Sequence, residues 1–182
     1  MSYPKTENLY ARDEETHKLV LGEFRRVDFS QVDRWLVTEK IDGTNIRLIF
    51  SKTRQDAWRR MTIVGRTDDA TLPKNFIEEA LPDINTERME EALAAIDPTS
   101  KAGAMVVYGE GYGPGIQKGG GDYAPRKSLR IFDVVTYAVS EDGDVGRPLW
   151  RTWVDVEVVA YALGLRTAPL HRTNYFTEDV IE

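Results

Sequence analysis

The residues best equipped for chemistry form one run, Glu39-Lys40-Ile41-Asp42-Gly43-Thr44-Asn45. Two short segments rich in aromatic and β-branched residues flank it, Trp35-Leu36-Val37 and Ile46-Arg47-Leu48-Ile49-Phe50, the composition of strands. Asp42-Gly43 is a turn dipeptide, so the local pattern predicts a strand, a sharp turn carrying Lys40, and a second strand. Alternation on the first strand predicts Leu36, Thr38 and Lys40 on one face and Trp35, Val37 and Glu39 on the other. A lysine half sheltered by a sheet loses its proton more readily than a solvated one, because burial and nearby positive charge disfavour the ammonium form. Neutral lysine is a nucleophile, and a covalent intermediate divides one difficult transfer into two easier ones. Lys-x-Asp-Gly alone proves little: roughly one random chain of this length in a few tens contains it. A lysine beside a turn is also ordinary surface chemistry, so the rest of the chain must decide.

The elements that must position Lys40 belong to a chain of 182 residues, most simply one domain with a sizeable core. Hydrophobic residues make up 41% and charged residues 30%, as in a soluble globular protein. Cysteine is absent, which excludes disulfides and thiolate metal sites and fits an intracellular, cytoplasmic setting. His17 and His171 are the only histidines, too few for a histidine metal cluster. No apolar stretch approaches a membrane span, and the polar N-terminus does not read as a signal peptide. The net charge of −6 argues mildly against nucleic-acid binding, but its distribution is uneven. Lys40, Arg47, Lys52, Arg54, Arg59, Arg60 and Arg66 face only Asp42 and Asp56 across the same stretch, so a positive face on an acidic body is expected to gather anions. Solvated strand faces are the plain alternative for these arginines.

Further along, Leu19-Val20-Leu21 before Gly22 predicts a short strand and Met61-Thr62-Ile63-Val64-Gly65 another, ending at Arg66-Thr67-Asp68. Residues 75–96 read as helix: Phe76, Ile77, Ala80 and Leu81 form a stripe that Pro82 breaks, and Met89, Leu93 and Ile96 resume it. Ala104–Tyr108 predicts a central strand running into a stretch with seven glycines in thirteen residues, 109–121. Such glycines let backbone amides approach a ligand closely, although neither Gly-x-Gly-x-x-Gly nor Gly-Lys-Ser/Thr occurs. Leu129–Tyr137 is the strongest strand signal, and Asp133 is a carboxylate in an apolar run that needs a partner or a task. Asp142-Gly143 predicts a turn, Thr152 with Asp155 a capping box for a helix through Leu163 closed by Gly164, Thr167–Leu170 a strand, and Thr177 a further cap.

These pieces together resemble the covalent nucleotidyltransferase superfamily of polynucleotide ligases and capping enzymes. More narrowly, they resemble the RNA-repair ligases: the phage-type enzymes that seal nicks in double-stranded RNA, and the trypanosome editing ligases. Glu39–Asn45 is similar to the family's nucleophile motif, Gly65-Arg66-Thr67 to its next-strand arginine, and Tyr108-Gly109-Glu110 to its third motif. Gly115-Ile116-Gln117-Lys118 resembles the segment that succeeds the third motif in these RNA ligases, and Ile131-Phe132-Asp133-Val134 resembles the family's aromatic–acid strand. Asn45 favours the RNA-ligase branch, since DNA ligases usually carry arginine at that offset.

The resemblance implies an α+β nucleotidyltransferase fold of the ligase adenylation type, unrelated to ATP-grasp, with an antiparallel sheet core, peripheral helices and one domain over residues 1–182. It implies an ATP-dependent RNA ligase in which Lys40 forms lysyl-AMP, AMP passes to an RNA 5′-phosphate, and a 3′-hydroxyl seals the strand. Lys40, Glu110 and Asp133 are then catalytic. Glu39, Ile41, Asn45, Arg66, Phe132 and Lys118 join Lys40 and Glu110 around the nucleotide, with Phe132 stacked on adenine. Glu110 and Asp133 are implied to hold Mg2+, and Glu110 alternatively the ribose hydroxyls. Expected partners are ATP and nicked or broken RNA, with no membrane, in a monomer that a phage could encode. The family's fourth motif, a glutamate-glycine strand, and its fifth, a lysine pair on the α-phosphate, have no counterpart here and are expected past residue 182. Without them, formation of lysyl-AMP is expected to be crippled. A DNA ligase, a capping-type transferase, a catalytically silent nucleotide- or RNA-binding paralogue, and an acidic interaction domain with chance motifs are the alternatives.

Overall fold

The computed structural model describes residues 3–32, 34–52, 59–99, 101–140 and 144–172. In chain order the elements are β1 (Tyr10–Arg12), β2 (Leu19–Phe24), a 3-10 turn (Val27–Gln31), β3 (Val37–Thr38), β4 (Thr44–Lys52), β5 (Arg59–Val64), α1 (Phe76–Ala80), α2 (Thr86–Ile96), β6 (Ala102–Tyr112), α3 (Gly120–Tyr123), β7 (Ser128–Val139), β8 (Val145–Trp150), α4 (Trp153–Ala162), β9 (Arg166–Thr167) and β10 (Leu170–Arg172). The predicted turn at Asp142-Gly143 and cap at Thr177 lie outside the described residues.

Two compact units emerge. Tyr3–Glu39 with the chain from Pro169 onward makes one, and Lys40–Ala168 the other. In the first, β1 and β2 pair antiparallel, with Tyr10 and Phe24 rings 5.5 Å apart, and β3 pairs antiparallel with β10. The second is built on an antiparallel run of strands in the order β5-β4-β6-β7-β8, with β9 added parallel to β7.

One face of this sheet carries the core. Ile46, Leu48 and Phe50 of β4, Met105 and Val107 of β6, and Leu129, Ile131 and Val134 of β7 pack with Phe76, Met89, Leu93, Val156 and Val159 from the helices. The spacing of two is the strand period, and it slips to three between Ile131 and Val134. That slip is a β-bulge: Tyr108 faces Asp133 while Gly109 faces Ile131, which leaves Phe132 as the extra residue.

The predicted helix over 75–96 is two helices, parted at Pro82, with the Asn85 side chain accepting from the Arg88 amide to start the second. Thr152 and Asp155 form the predicted capping box of α4, and Gly164 follows with φ +67°. Sequence patterning gave no sign of β8, because Gly146 and Pro148 interrupt any alternation; every residue of it is exposed at the sheet edge, where proline is tolerated. The strand expected over Thr167–Leu170 is instead the end of β9 and the start of β10, parted by Ala168-Pro169. Among the described residues, no helix is long and apolar enough to cross a membrane.

Candidate active site

The hairpin expected around Lys40 does not form. β3 pairs with β10, whereas β4 pairs with β5 and β6. Lys40 therefore precedes β4 on an irregular segment, and its side chain is exposed rather than half sheltered. Next to it, Ile41 is buried and anchors the segment. Glu39 ends the other unit, where its backbone N–H donates to the Pro169 carbonyl at 2.9 Å.

Register brings the remaining groups together on the sheet face opposite the core. Asn45 of β4, Glu110 of β6 and Arg130 of β7 lie directly across from one another, and the next rung is Arg47, Tyr108 and Asp133. Paired residues share a face, so both rungs present their side chains on the same side. The Gly43 N–H donates to the Glu110 carboxylate, and the Gly43 carbonyl accepts from Gln117 Nε2 at 3.0 Å. This turn thus ties Lys40-Asp42 to the end of β6 and to the glycine-rich loop. The loop itself is pinned by Ile116, buried in the core, and Gln117 adopts φ +53°, a left-handed conformation unusual for a residue with a Cβ. Lys118, beside it, is exposed.

Burial raises the proton affinity of Glu110; the positive charge of Lys40 opposes this, Asp42 reinforces it, and the Gly43 amide opposes it. The net direction is up. Lys40, Asp42 and Glu110 therefore sit within electrostatic reach of one another. Asn45 Oδ1 is buried, and no group among the described residues donates to it, so that acceptor is available to a ligand.

Arg66 is exposed and lies two residues past the last β4–β5 pair, Arg47 with Val64. Phe132, half-buried, is the bulge residue, and Asp133, also half-buried, faces Tyr108 across the strands. Burial pushes the Tyr108 hydroxyl up to about 12, with Tyr137 and Asp133 adding and Arg47 opposing; the Tyr108 and Tyr137 hydroxyls share a hydrogen bond, and the Tyr108 ring stacks on Trp150 at 5.8 Å. Lys40 and Glu110 are thus brought together, Asn45 shares the Glu110 rung, and Asp133 lies one rung away on β7. Arg66 and Lys118 are exposed on the segments that follow β5 and β6.

Sequence reasoning placed Arg47 on an exposed positive face, which the structure contradicts. It is fully buried, with Nε donating to the Gly65 carbonyl at 2.7 Å and Nη2 to Asp68 Oδ1 at 2.9 Å. The signal was present: a guanidinium inside Ile46–Phe50 is as anomalous as a carboxylate inside Leu129–Tyr137. Arg130 was also missed; its Nε donates to Tyr112 Oη at 3.1 Å and its Nη1 to the Thr167 carbonyl at 3.2 Å. Among the described residues, no three His, Cys, Asp or Glu side chains gather as a metal-holding set.

A solved RNA ligase of Naegleria gruberi with PPi is similar at 15% identity and a TM-score of 0.44 over 77% of this chain. The chain spans only 36% of that protein's length. A family model described as RNA ligase matches residues 33–182, most of the chain and every residue of the two rungs. The chain belongs to the RNA ligase family.

Proposed function

We propose that residues 1–182 act as the adenylating domain of an ATP-dependent RNA ligase of the nick-sealing and editing branch, working as a monomer on RNA ends. One observation carries this reading: the Gly43 amide joins the lysine turn to Glu110 on β6, holding a nucleophile, a carboxylate of raised proton affinity and an unpaired amide oxygen on one side of one sheet.

In the first step Lys40 acts as the neutral amine, and the proton its nitrogen sheds as the N–P bond forms passes to solvent or to the departing pyrophosphate. The amine lone pair attacks the α-phosphorus of ATP, the N–P bond forms, the bond to the bridging oxygen breaks, and pyrophosphate leaves with that electron pair. An RNA 5′-phosphate oxygen then displaces lysine, giving a 5′–5′ anhydride with AMP. Finally the 3′-hydroxyl attacks the RNA phosphate, AMP departs, and the phosphodiester is made. Catalysis of this kind is mainly positioning and charge neutralisation. Arg66 and Lys118 supply cations for phosphate oxygens, Arg66 in two-pronged fashion, and Phe132 offers a face for adenine. Asn45 contributes the amide that meets the pyrophosphate or the nucleic-acid end.

Magnesium fits the donors present. The groups on this face are oxygens, and Mg2+ commonly takes one or two carboxylates and fills the rest with phosphate oxygens and water. Glu110 and Asp133 are the residues that would hold it, and it would supply charge neutralisation on the phosphates.

The test is incubation of the protein with α-labelled ATP and magnesium. Label on Lys40, absent from Lys40→Ala and released by nicked duplex RNA, is the expected outcome. A protein that binds ATP but never carries label is a silent paralogue and refutes the proposal. Label from GTP instead points to capping chemistry.

A further inference from the structure

Arg47 belongs to none of the motifs that define the site, yet it is the only arginine buried to 0% exposure among the described residues. A guanidinium taken wholly out of water is costly unless its donors are met, and replacing it by a packed apolar side chain is often neutral for stability. Two of its bonds reach one short segment from two sides: Nε meets the carbonyl of Gly65, and Nη2 meets the carboxylate of Asp68. Between those two residues stand only Arg66 and Thr67. β5 has already ended at Val64, so no ladder hydrogen bond fixes this stretch. Ala70 N–H to the Thr67 carbonyl at 3.2 Å makes the turn, and Arg47 supplies the tie to the sheet.

We propose that Arg47 is a positioning residue for phosphate binding: its buried guanidinium clamps residues 65–68 from both ends and so holds Arg66 ready for the nucleotide's phosphates. The inference rests on the nucleotidyl-transfer reading given above. Asp68 is the outer jaw of the clamp, with its side chain 74% exposed against 0% for Arg47. Because Asp68 reaches in from solvent, water can take its place at Nη2, so Asp68→Ala loosens the segment while the Arg47 donor is still met. The strand that carries Arg47 also carries Asn45 two residues earlier, so the clamp ties the Arg66 segment to the rung next to that of Asn45 and Glu110. A clamped guanidinium has fewer rotamers and backbone states to lose when it binds, which is affinity gained through pre-organisation.

Two readouts separate a clamp from a merely structural residue. Trypsin cuts after exposed arginines, and the Arg66–Thr67 bond is protected as long as the segment is held. Asp68→Ala and Arg47→Lys are expected to speed cleavage at that bond about fivefold or more, with cuts elsewhere unchanged. In α-labelled ATP assays, the same variants are expected to raise the half-saturating ATP concentration about tenfold, with the maximal labelled fraction preserved. Combined with Arg66→Ala, neither adds more than about twofold to the loss that Arg66→Ala causes alone. Asp68→Ala keeps the test informative should Arg47→Lys fold poorly. Unchanged cleavage at Arg66, or penalties that multiply in the double variants, overturns the role of Arg47 alone. A wild-type protein that takes no label on Lys40 sinks the nucleotidyl-transfer reading, and this inference with it.

Discussion

Gly43→Ala is the substitution that most directly probes how the lysine turn is held. A Cβ built on Gly43 meets the Gly111 carbonyl oxygen far inside contact distance and stands 2.9 Å from Glu110 Cγ, whereas ordinary contact begins at 3.4 Å. Neither neighbour can retreat easily. Gly111 is paired with Thr44 at the end of the β4–β6 ladder, and the Glu110 carboxylate accepts from the Gly43 amide itself. The cost is steric and not conformational, because Gly43 is not among the residues with positive φ. Overpacking of this kind costs about 1–3 kcal/mol. Pushing the turn off the sheet also strains its bonds to Glu110 and Gln117, each worth about 1 kcal/mol. Together these give about 2–4 kcal/mol, a large share of a typical domain's stability. Urea unfolding at constant slope reads this directly, with two glycines of the same loop region as controls. Gly121 has nothing within 4 Å and no positive φ, so Gly121→Ala is expected to be neutral or stabilising by up to about 1 kcal/mol. Gly115 has open space but φ +79°, so Gly115→Ala is expected to cost about 1–2 kcal/mol through the backbone alone. Any lysyl-AMP formed by folded Gly43→Ala should also drop, since Glu110 no longer sits against the turn. An unfolding free energy for Gly43→Ala within about 0.5 kcal/mol of wild type refutes the reasoning.

Glu110→Gln tests the burial of that carboxylate. Because the folded carboxyl binds its proton more tightly than the unfolded one, Glu110 favours folding at low pH, and the contribution is lost as pH rises from the ordinary carboxylate range through the folded value. Glu110→Gln is therefore expected to be at least as stable as wild type at neutral pH, with the gap closing near about pH 4, while labelling of Lys40 is lost. Equal destabilisation at both pH values contradicts this. Tyr108→Phe removes the hydrogen bond to Tyr137 and is expected to cost about 1 kcal/mol in denaturant melts. It should also abolish a tyrosine ionisation near about 12 in an absorbance titration, and persistence of that step refutes the assignment. Thr152→Ala dissolves the capping box of α4 and is expected to cost about 1 kcal/mol, read from the thermal midpoint by circular dichroism.

Much of this molecule is local enough to be legible in the sequence. The apolar runs of β4, β5, β6 and β7, the break at Pro82 and the Thr152–Asp155 cap all arise from a few adjacent residues and the periods of helix and strand. The order of Lys40, Arg66, Glu110, Lys118 and Asp133 along the chain, each in a short motif of recognisable residue types, already pointed to the family that the residue 33–182 match establishes.

No local pattern could supply which strands are neighbours. Asp-Gly beside two apolar runs has the local chemistry of a hairpin, yet β4 closes its ladder with β6, more than fifty residues away, and leaves β3 to β10. That choice sets the face on which Asn45, Arg47, Tyr108, Glu110 and Asp133 meet. It also turns Gly43 from a turn residue into the one residue small enough to lie against Gly111 and Glu110. The slip at Phe132 shifts Asp133 into register with Tyr108, and Gln117 reaches across 74 positions to the Gly43 carbonyl. Residue identity and spacing along the chain settled the chemical groups and the family; long-range hydrogen-bond register and burial decided their neighbours, their exposure and the proton affinity of Glu110, because those depend on atoms that only folding brings close.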